Sequence, residues 1–220
     1  MFLEIADVLN ADELQRLHEI ARAARFVDGR ISNPHNQAKN NLQVDPRDTA
    51  ASESSRIVGQ ALQRNADFAR FAFPVRVASP LLCRYEPGMS YGRHPDAAFL
   101  PMQPMPLRSD VSCTVFIADP ASYEGGELCI HLGSRPVQVK GAAGAAVVYP
   151  STTIHEVMPV RSGQRLVAIT FVQSQIVDER YRDLLYTLNE VAALEGLSMK
   201  WENRVRLEHV RQSLHRMWSG

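Results

Sequence analysis

Apolar residues near the start of the chain recur at helical spacing. Leu14, Leu17, Ala21 and Ala24 fall three or four apart, which places them along one helix face. Asn10 with Glu13 three residues on makes a capping-box-like start, and Gly29 is expected to stop this helix. The polar stretch Ser32 to Asp45, with Gln37-Ala38-Lys39-Asn40-Asn41 inside it, reads as a loop. Ile57, Val58, Ala61 and Leu62 predict a second helix, and Pro74 ends the helical region.

From Val75 the repeat becomes strand-like. Strands are expected at Val75–Ala78, Leu81–Tyr85, Val111–Ala118, Glu127–His131, Arg135–Val139, Ala145–Tyr149, Glu156–Val160 and Leu166–Val172. Turns such as Glu124-Gly125-Gly126 and Arg161-Ser162-Gly163 separate them. Many short strands at this spacing predict a mainly β fold with flanking helices, built as a sandwich or double-sheet jelly roll. Ala97 to Asp110 carries Pro101, Pro104 and Pro106. It is too proline-rich for a central strand and reads as a lid or a substrate-contacting loop. Helices return at Asp178 to Leu194 and at Glu202 to Trp218.

This pattern divides the chain into an N-terminal helical region (1–74), a β core (75–175) and a C-terminal helical extension (176–220). The last region carries the apolar stripe Leu184, Leu185, Leu188, Val191 and Ala192, which fits packing on its own domain or a subunit interface. Two amphipathic helices after a core already complete in itself are expected to contribute to a homo-oligomer.

Composition narrows the function. A formal net charge of zero argues against nucleic acid as the main partner. The N-terminus lacks the basic region and long apolar run of a signal peptide, and Ala142 to Tyr149 is far too short to span a bilayer. No membrane partner is expected. Cys83, Cys113 and Cys129 have no metal-like spacing and would leave an odd thiol if paired. They read as buried reduced thiols, which favours the cytoplasm.

Candidate chemistry starts at His94-Pro95-Asp96. Pro95 pushes His94 to an extended conformation, and residues two apart on an extended segment share a face. His94 and Asp96 are thus able to supply two donors of a 2-His-1-carboxylate iron site. A lone His-x-Asp also fits a surface hydrogen-bonded pair. His155 follows the apolar strand ending at Tyr149. Ten residues later, Arg165 is in register with Val167, Ile169 and Phe171, the bulkier face of its strand. An inward arginine needs an anionic partner, and no acidic residue is evident in sequence. A ligand carboxylate gripped bidentately would fit. Arg161, in a turn, reads as solvated. His131 reads as packed or solvent-facing, and His35 lies in a loop that borders the candidate pocket.

Taken in order, Tyr85-x-x-Gly88-x-x-Tyr91-x-x-His94-x-Asp96, Gly125-Gly126-Glu127-Leu128, His155 and Arg165 resemble the prolyl-4-hydroxylase-like branch of the iron(II)/2-oxoglutarate oxygenases. Lys39-Asn40-Asn41, Tyr85-Glu86-x-Gly88-Met89, Asp119-Pro120, Tyr149-Pro150-Ser151 and Gln173-Ser174 resemble the bacterial PKHD-type hydroxylases. Arg93 and Pro95 depart from that pattern, which has an aromatic before the histidine and a smaller aliphatic between the ligands.

The resemblance implies a double-stranded β-helix (jelly roll, cupin-like) core and a cytoplasmic dioxygenase. It implies that His94, Asp96 and His155 hold iron(II), while Arg165 and Tyr85 hold the distal carboxylate of 2-oxoglutarate. The cosubstrate would yield succinate as a peptidyl, amino-acid or other small-molecule substrate is hydroxylated, with ascorbate as reductant. A link to iron homeostasis is implied in the same way. Asn40, Tyr91, Arg93 and Arg108 are candidate substrate contacts. The rival readings are a catalytically silent jelly-roll metal-binding or sensor protein, and a cupin-like isomerase or hydrolase using another metal. Neither rival needs the inward arginine.

Overall fold

In the computed structural model, residues 1–34 and 36–220 are described, so the loop histidine His35 lies outside the described residues. Helix α1 (Ala11–Ala23) starts on a reciprocal capping box. Asn10 Oδ1 accepts from the Glu13 N–H, and Glu13 Oε2 accepts from the Asn10 N–H, at 2.9 and 3.0 Å. Gly29 does not end this helix. It ends at Ala23, because Ala24 is already extended and Phe26–Asp28 pairs as a strand with Leu42–Val44. Gly29 instead opens a short 3-10 turn, where a Cβ would lie 1.9 Å from Asn41 Oδ1.

Helices α2 (Thr49–Arg64) and α3 (Ala66–Ala72) meet at Asn65, which closes one and caps the other. The stretch expected as a loop between α1 and α2 holds two short strands, Lys39–Asn40 and Leu42–Val44. They are too short to show an alternation, and each owes its form to a longer neighbouring strand.

The major sheet runs Leu3–Ile5, Ala146–Pro150, Val111–Phe116, Arg165–Ser174, Leu81–Tyr85, Leu42–Val44 and Phe26–Asp28. Pro74–Val77 also pairs with Arg165–Ser174. Facing it is a minor sheet ordered Arg135–Val139, Leu128–Leu132, His155–Val157, Ser90–His94 and Lys39–Asn40. All the pairings are antiparallel, giving the jelly roll that the strand pattern predicts. The strand expected over Glu156–Val160 is in fact two. His155–Val157 belongs to the minor sheet, while Val160–Gly163 pairs with Tyr123–Gly125 in a separate ribbon.

Alternation along the major strands makes two cores. One parity (Leu82, Cys113, Val115, Val148, Leu166, Ala168) packs against α1, α2 and α3. The other (Cys83, Tyr85, Phe116, Val147, Tyr149, Val167) faces the minor sheet. Tyr85, Tyr91, His94, Asp96, His155 and Arg165 line a cavity in this second, inter-sheet layer. Pro101, Pro104 and Pro106 lie within a small hairpin, Phe99–Leu100 on Leu107–Arg108, outside both large sheets. Helices α4 (Glu179–Glu195) and α5 (Trp201–Trp218) follow, and no helix among the described residues is long and apolar enough to cross a membrane.

Two glycines with positive φ separate conformational cost from steric cost. Gly88 (φ +86°) has open space where a Cβ would go, whereas at Gly125 (φ +73°) the Cβ would meet the Pro159 carbonyl oxygen at 2.1 Å. Gly88→Ala is expected to lose about 1–2 kcal/mol, the left-handed backbone penalty alone. Gly125→Ala should lose clearly more, since the main-chain clash adds to the same penalty. Urea denaturation of both variants checks the order, and equal losses would contradict the steric account.

Candidate active site

The site begins with an irregularity in Ser90–His94. His94 faces His155 across the pairing, yet Tyr91 faces Val157, so three steps on one strand match two on the other. The extra residue is a β-bulge, a device that re-aims side chains. It puts both Tyr91 and His94 on the buried side, rings stacked at 3.6 Å, and leaves Arg93 outside.

His94 and His155 sit side by side, ring centroids 4.4 Å apart. Each uses its Nδ1–H on a backbone carbonyl, His94 on Gly92 at 2.6 Å and His155 on Thr153 at 2.9 Å. That orients both rings and leaves both Nε2 atoms for a ligand. Burial, and next the adjacent His155, hold His94 below the usual histidine range, so it is neutral at neutral pH. Asp96 completes the group: its Oδ2 is 3.7 Å from His155 Nε2, and one donor atom from each residue falls within 4.8 Å of the others. Two imidazoles and one carboxylate, leaving sides open, suit a divalent first-row metal.

Asp96 is held from behind. Its backbone N–H donates to the Ser151 carbonyl at 3.2 Å, and Ser112 Oγ donates to Oδ2 at 2.5 Å. Ser112 Oγ in turn meets Ser151 Oγ at 2.7 Å, and Ser109 Oγ donates to Ser151 Oγ at 2.8 Å. All three serines are buried.

Arg165 enters the same cavity from the major sheet. It is only 1% exposed, and its Nε has no hydrogen-bond partner. No carboxylate pairs with it among the described residues: Asp96, the acid that shares its cavity, is held by Ser112. Its guanidinium lies over the Tyr85 ring at 5.0 Å and within 6.0 Å of Phe116. Tyr85 is its direct cross-strand partner, and burial keeps that phenol protonated well above its ordinary range. Gly126 leaves room for the arginine stem, since a Cβ there would lie 3.0 Å from Arg165 Cδ. One cavity thus joins His94, Asp96, His155, Arg165, Tyr85 and Tyr91. An anion with a chelating end would satisfy both the guanidinium and the open side of the metal group.

The remaining candidates from the sequence sit elsewhere. Asn40 is exposed, with Nδ2 at 3.5 Å from the Gly88 carbonyl, because a two-residue strand turns its neighbour Lys39 inward instead. Arg93 is turned out by the bulge and pairs with Glu156 at 3.1 Å, as does His131 at 3.0 Å. Arg108 is taken up by Asp110 at 2.8 Å and by the Ser174 carbonyl. Sequence reasoning missed Lys39, Ser112, Thr114 and Tyr149, which line the two cavities around the metal group. The available signal was Ser112-x-Thr114, two polar residues on one face of an otherwise apolar strand.

Residues 80–173 match the family model described as the 2OG-Fe(II) oxygenase superfamily. A PKHD-type hydroxylase of Sphingopyxis alaskensis is 52% identical, covering 98% of each chain. One from Xanthomonas campestris is 38% identical over 100% of this chain and 99% of its own. Among solved structures, a Pseudomonas putida prolyl-4-hydroxylase superposes with a TM-score of 0.56 at 20% identity, covering 79% of this chain and 92% of that one. At that identity the likeness concerns the fold.

The serine chain predicts its own effect. Ser112→Ala removes the donor that orients Asp96, and loss of such a partner typically weakens metal affinity about 10–100-fold. Competition with a chelator for Mn(II) measures it, and an unchanged affinity would show that Asp96 is oriented by its backbone alone.

Proposed function

Because the chain belongs to the PKHD-type hydroxylases of the 2OG-Fe(II) oxygenase superfamily, we propose that His94, Asp96 and His155 hold iron(II) and that Arg165 anchors 2-oxoglutarate. The observation that carries this reading is the guanidinium of Arg165, buried without a carboxylate partner in the cavity of the three donors. A buried cation left unpaired is strongly unfavourable, so the site is built for an anion. When bound, iron(II) and 2-oxoglutarate supply the oxidation: dioxygen is reduced as 2-oxoglutarate is decarboxylated to succinate and a substrate carbon is hydroxylated.

The chain's own residues set the conditions. Both imidazoles are oriented by the carbonyl partners of their Nδ1 atoms, which leaves each Nε2 for the metal. Arg165 grips the far carboxylate of the cosubstrate, and the protonated Tyr85 phenol donates to the same group. Apolar neighbours such as Leu128, Val157 and Ile169 exclude water from the cavity and strengthen that ion pair. The substrate is an amino acid, peptide or other small molecule. Ascorbate serves as reductant, and the three free buried thiols fit a cytoplasmic enzyme. A role in iron homeostasis rests on the resemblance to the bacterial PKHD-type hydroxylases alone.

With iron(II), dioxygen and 2-oxoglutarate but no other substrate, the wild-type protein is expected to form succinate slowly. Arg165→Ala should weaken 2-oxoglutarate binding roughly 10- to 150-fold, the value of a hydrogen bond to a charged group, with iron occupancy unchanged. His155→Ala should lose the iron while staying folded. Calorimetry giving equal 2-oxoglutarate affinity in wild type and Arg165→Ala would remove the anchor assignment, and a wild type that never forms succinate would favour a silent metal-binding module.

The C-terminal helices further support a homo-oligomer. None of the residues of α5 is buried, and Leu197, Trp201 and Met217 are 93%, 72% and 74% exposed. Sedimentation of the full chain should show a dimer or larger species, reduced to monomer by Trp201→Glu with Val205→Glu. A monomeric wild type would mean these helices do not join subunits.

A further inference from the structure

A second cleft opens beside the inner cavity, of about 530 Å³, and the two share Tyr91, Asp96, Ile169 and Phe171. Its walls are largely apolar: Leu81, Phe99, Leu100, Met102, Ile169 and Phe171. Into this apolar space the strand Lys39–Asn40 turns a single lysine. Lys39 is only 5% exposed, and its Nζ lies 2.7 Å from Ser32 Oγ and 5.6 Å from the Tyr91 ring centre.

The ammonium has no carboxylate partner among the described residues. The acids whose charge reaches it are Asp28 and Asp96, and each is engaged elsewhere, Asp28 with Arg30 and Asp96 with Ser112. Cys83 is also close, but burial pushes its thiol up to about 11, so it is neutral. Burial also lowers the pKa of Lys39 itself, the mark of a cation lacking an anion. Beside it, the Tyr91 phenol oxygen accepts from Asn33 Nδ2 and Asn36 Nδ2 at 3.3 and 3.2 Å, which leaves its own O–H to donate. An ammonium and a phenol O–H at one end of an apolar cleft match a carboxylate on an apolar body.

The division of the two cations is what identifies the ligand. Arg165 lines the inner cavity and not the outer one; Lys39 lines the outer and not the inner. With Arg165 assigned to the cosubstrate, Lys39 is the cation left for a second anion. We propose that the outer cleft binds the prime substrate and that this substrate carries a carboxylate, held by Lys39 and Tyr91, on an apolar chain that lies along Leu81, Phe99 and Phe171 toward Asp96. This rests on the oxygenase reading for what happens to the substrate, while the carboxylate recognition stands on the cleft alone.

Calorimetry on the protein loaded with Mn(II) and 2-oxoglutarate tests it with two matched pairs: hexanoate against hexanamide, and acetyl-Ala-Leu with a free against an amidated C-terminus. At least one acid should bind about tenfold or more tighter than its amide, since a hydrogen bond to a charged group is at stake. Discrimination by hexanoate points to a small-molecule acid, and by the dipeptide alone to a peptide C-terminus. Lys39→Met should bring acid and amide affinities together without changing 2-oxoglutarate affinity, and Lys39→Arg should restore the preference. The proposal is overturned if the wild type treats acid and amide alike in both pairs, a comparison that needs no variant to fold. It is equally overturned if Lys39→Met keeps the full preference. Should the wild type fail to bind 2-oxoglutarate, the oxygenase reading falls separately, and the acid–amide comparison with Mn(II) alone still decides the cleft.

Discussion

A guanidinium buried without a counter-charge is the constraint around which the inter-sheet layer is organised. Arg165 sits at 1% exposure with its Nε unpaired. Desolvating such an ion costs several kcal/mol even after relaxation. The fold answers this locally: Gly126 clears the arginine stem, and the faces of Tyr85 and Phe116 sit near the charge, a partial substitute for solvent. It also answers remotely. The opposite face of the same strand carries Leu166 and Ala168 into the helix-covered core, where apolar burial is continuous. A strand with one apolar face and one bearing Arg165 lets the first hold the second in place.

The metal group is organised differently, by hydrogen bonds more than by packing. Each imidazole is locked through a carbonyl two residues before it, and Asp96 through a serine on the facing sheet. The two sheets therefore meet chemically at Asp96 as well as through side-chain packing. Separation of the sheets would lengthen the Ser112 contact as well as loosen the apolar layer beside it. The geometry of the donors thus reports directly on how well the sandwich is closed.

Much of this was legible in the sequence, where local rules hold. Pro95 predicts an extended His94, and parity from Val167 to Phe171 predicts an inward Arg165. Seven of the eight strand candidates need only alternation, and the eighth, Glu156–Val160, spans two strands. What escaped involves one residue's difference. The bulge in Ser90–His94 breaks parity, so Arg93 faces solvent and Tyr91 joins His94, and nothing in Tyr91-Gly92-Arg93 announces it. Lys39 and Asn40 form a strand too short for any period, so which of the two points inward depends on a neighbour fifty residues away. Gly29 looked like a helix stop because the competing strand Phe26–Asp28 draws its pairing from elsewhere in the sheet. Arg108, a candidate substrate contact, is instead taken up by Asp110 two residues on and by the carbonyl of Ser174 far along the chain, and only the first of these could be seen in the sequence.

The place of Arg165–Ser174 in the major sheet bears on how the protein comes to be made. It is the last strand in the chain, yet it lies at the centre, with Val111–Phe116 on one side and Leu81–Tyr85 on the other. Without it the sheet falls into two unconnected pieces, and Pro74–Val77 is left with no partner strand. A ribosome must therefore emit nearly the whole chain before those pieces can be joined, and until then both carry open, apolar strand edges. Assembly is bound to be late, dominated by contacts between distant residues, and slow relative to the helices that precede it. The nascent chain is exposed to aggregation for most of its synthesis, and relief comes with the same strand that brings in the buried arginine.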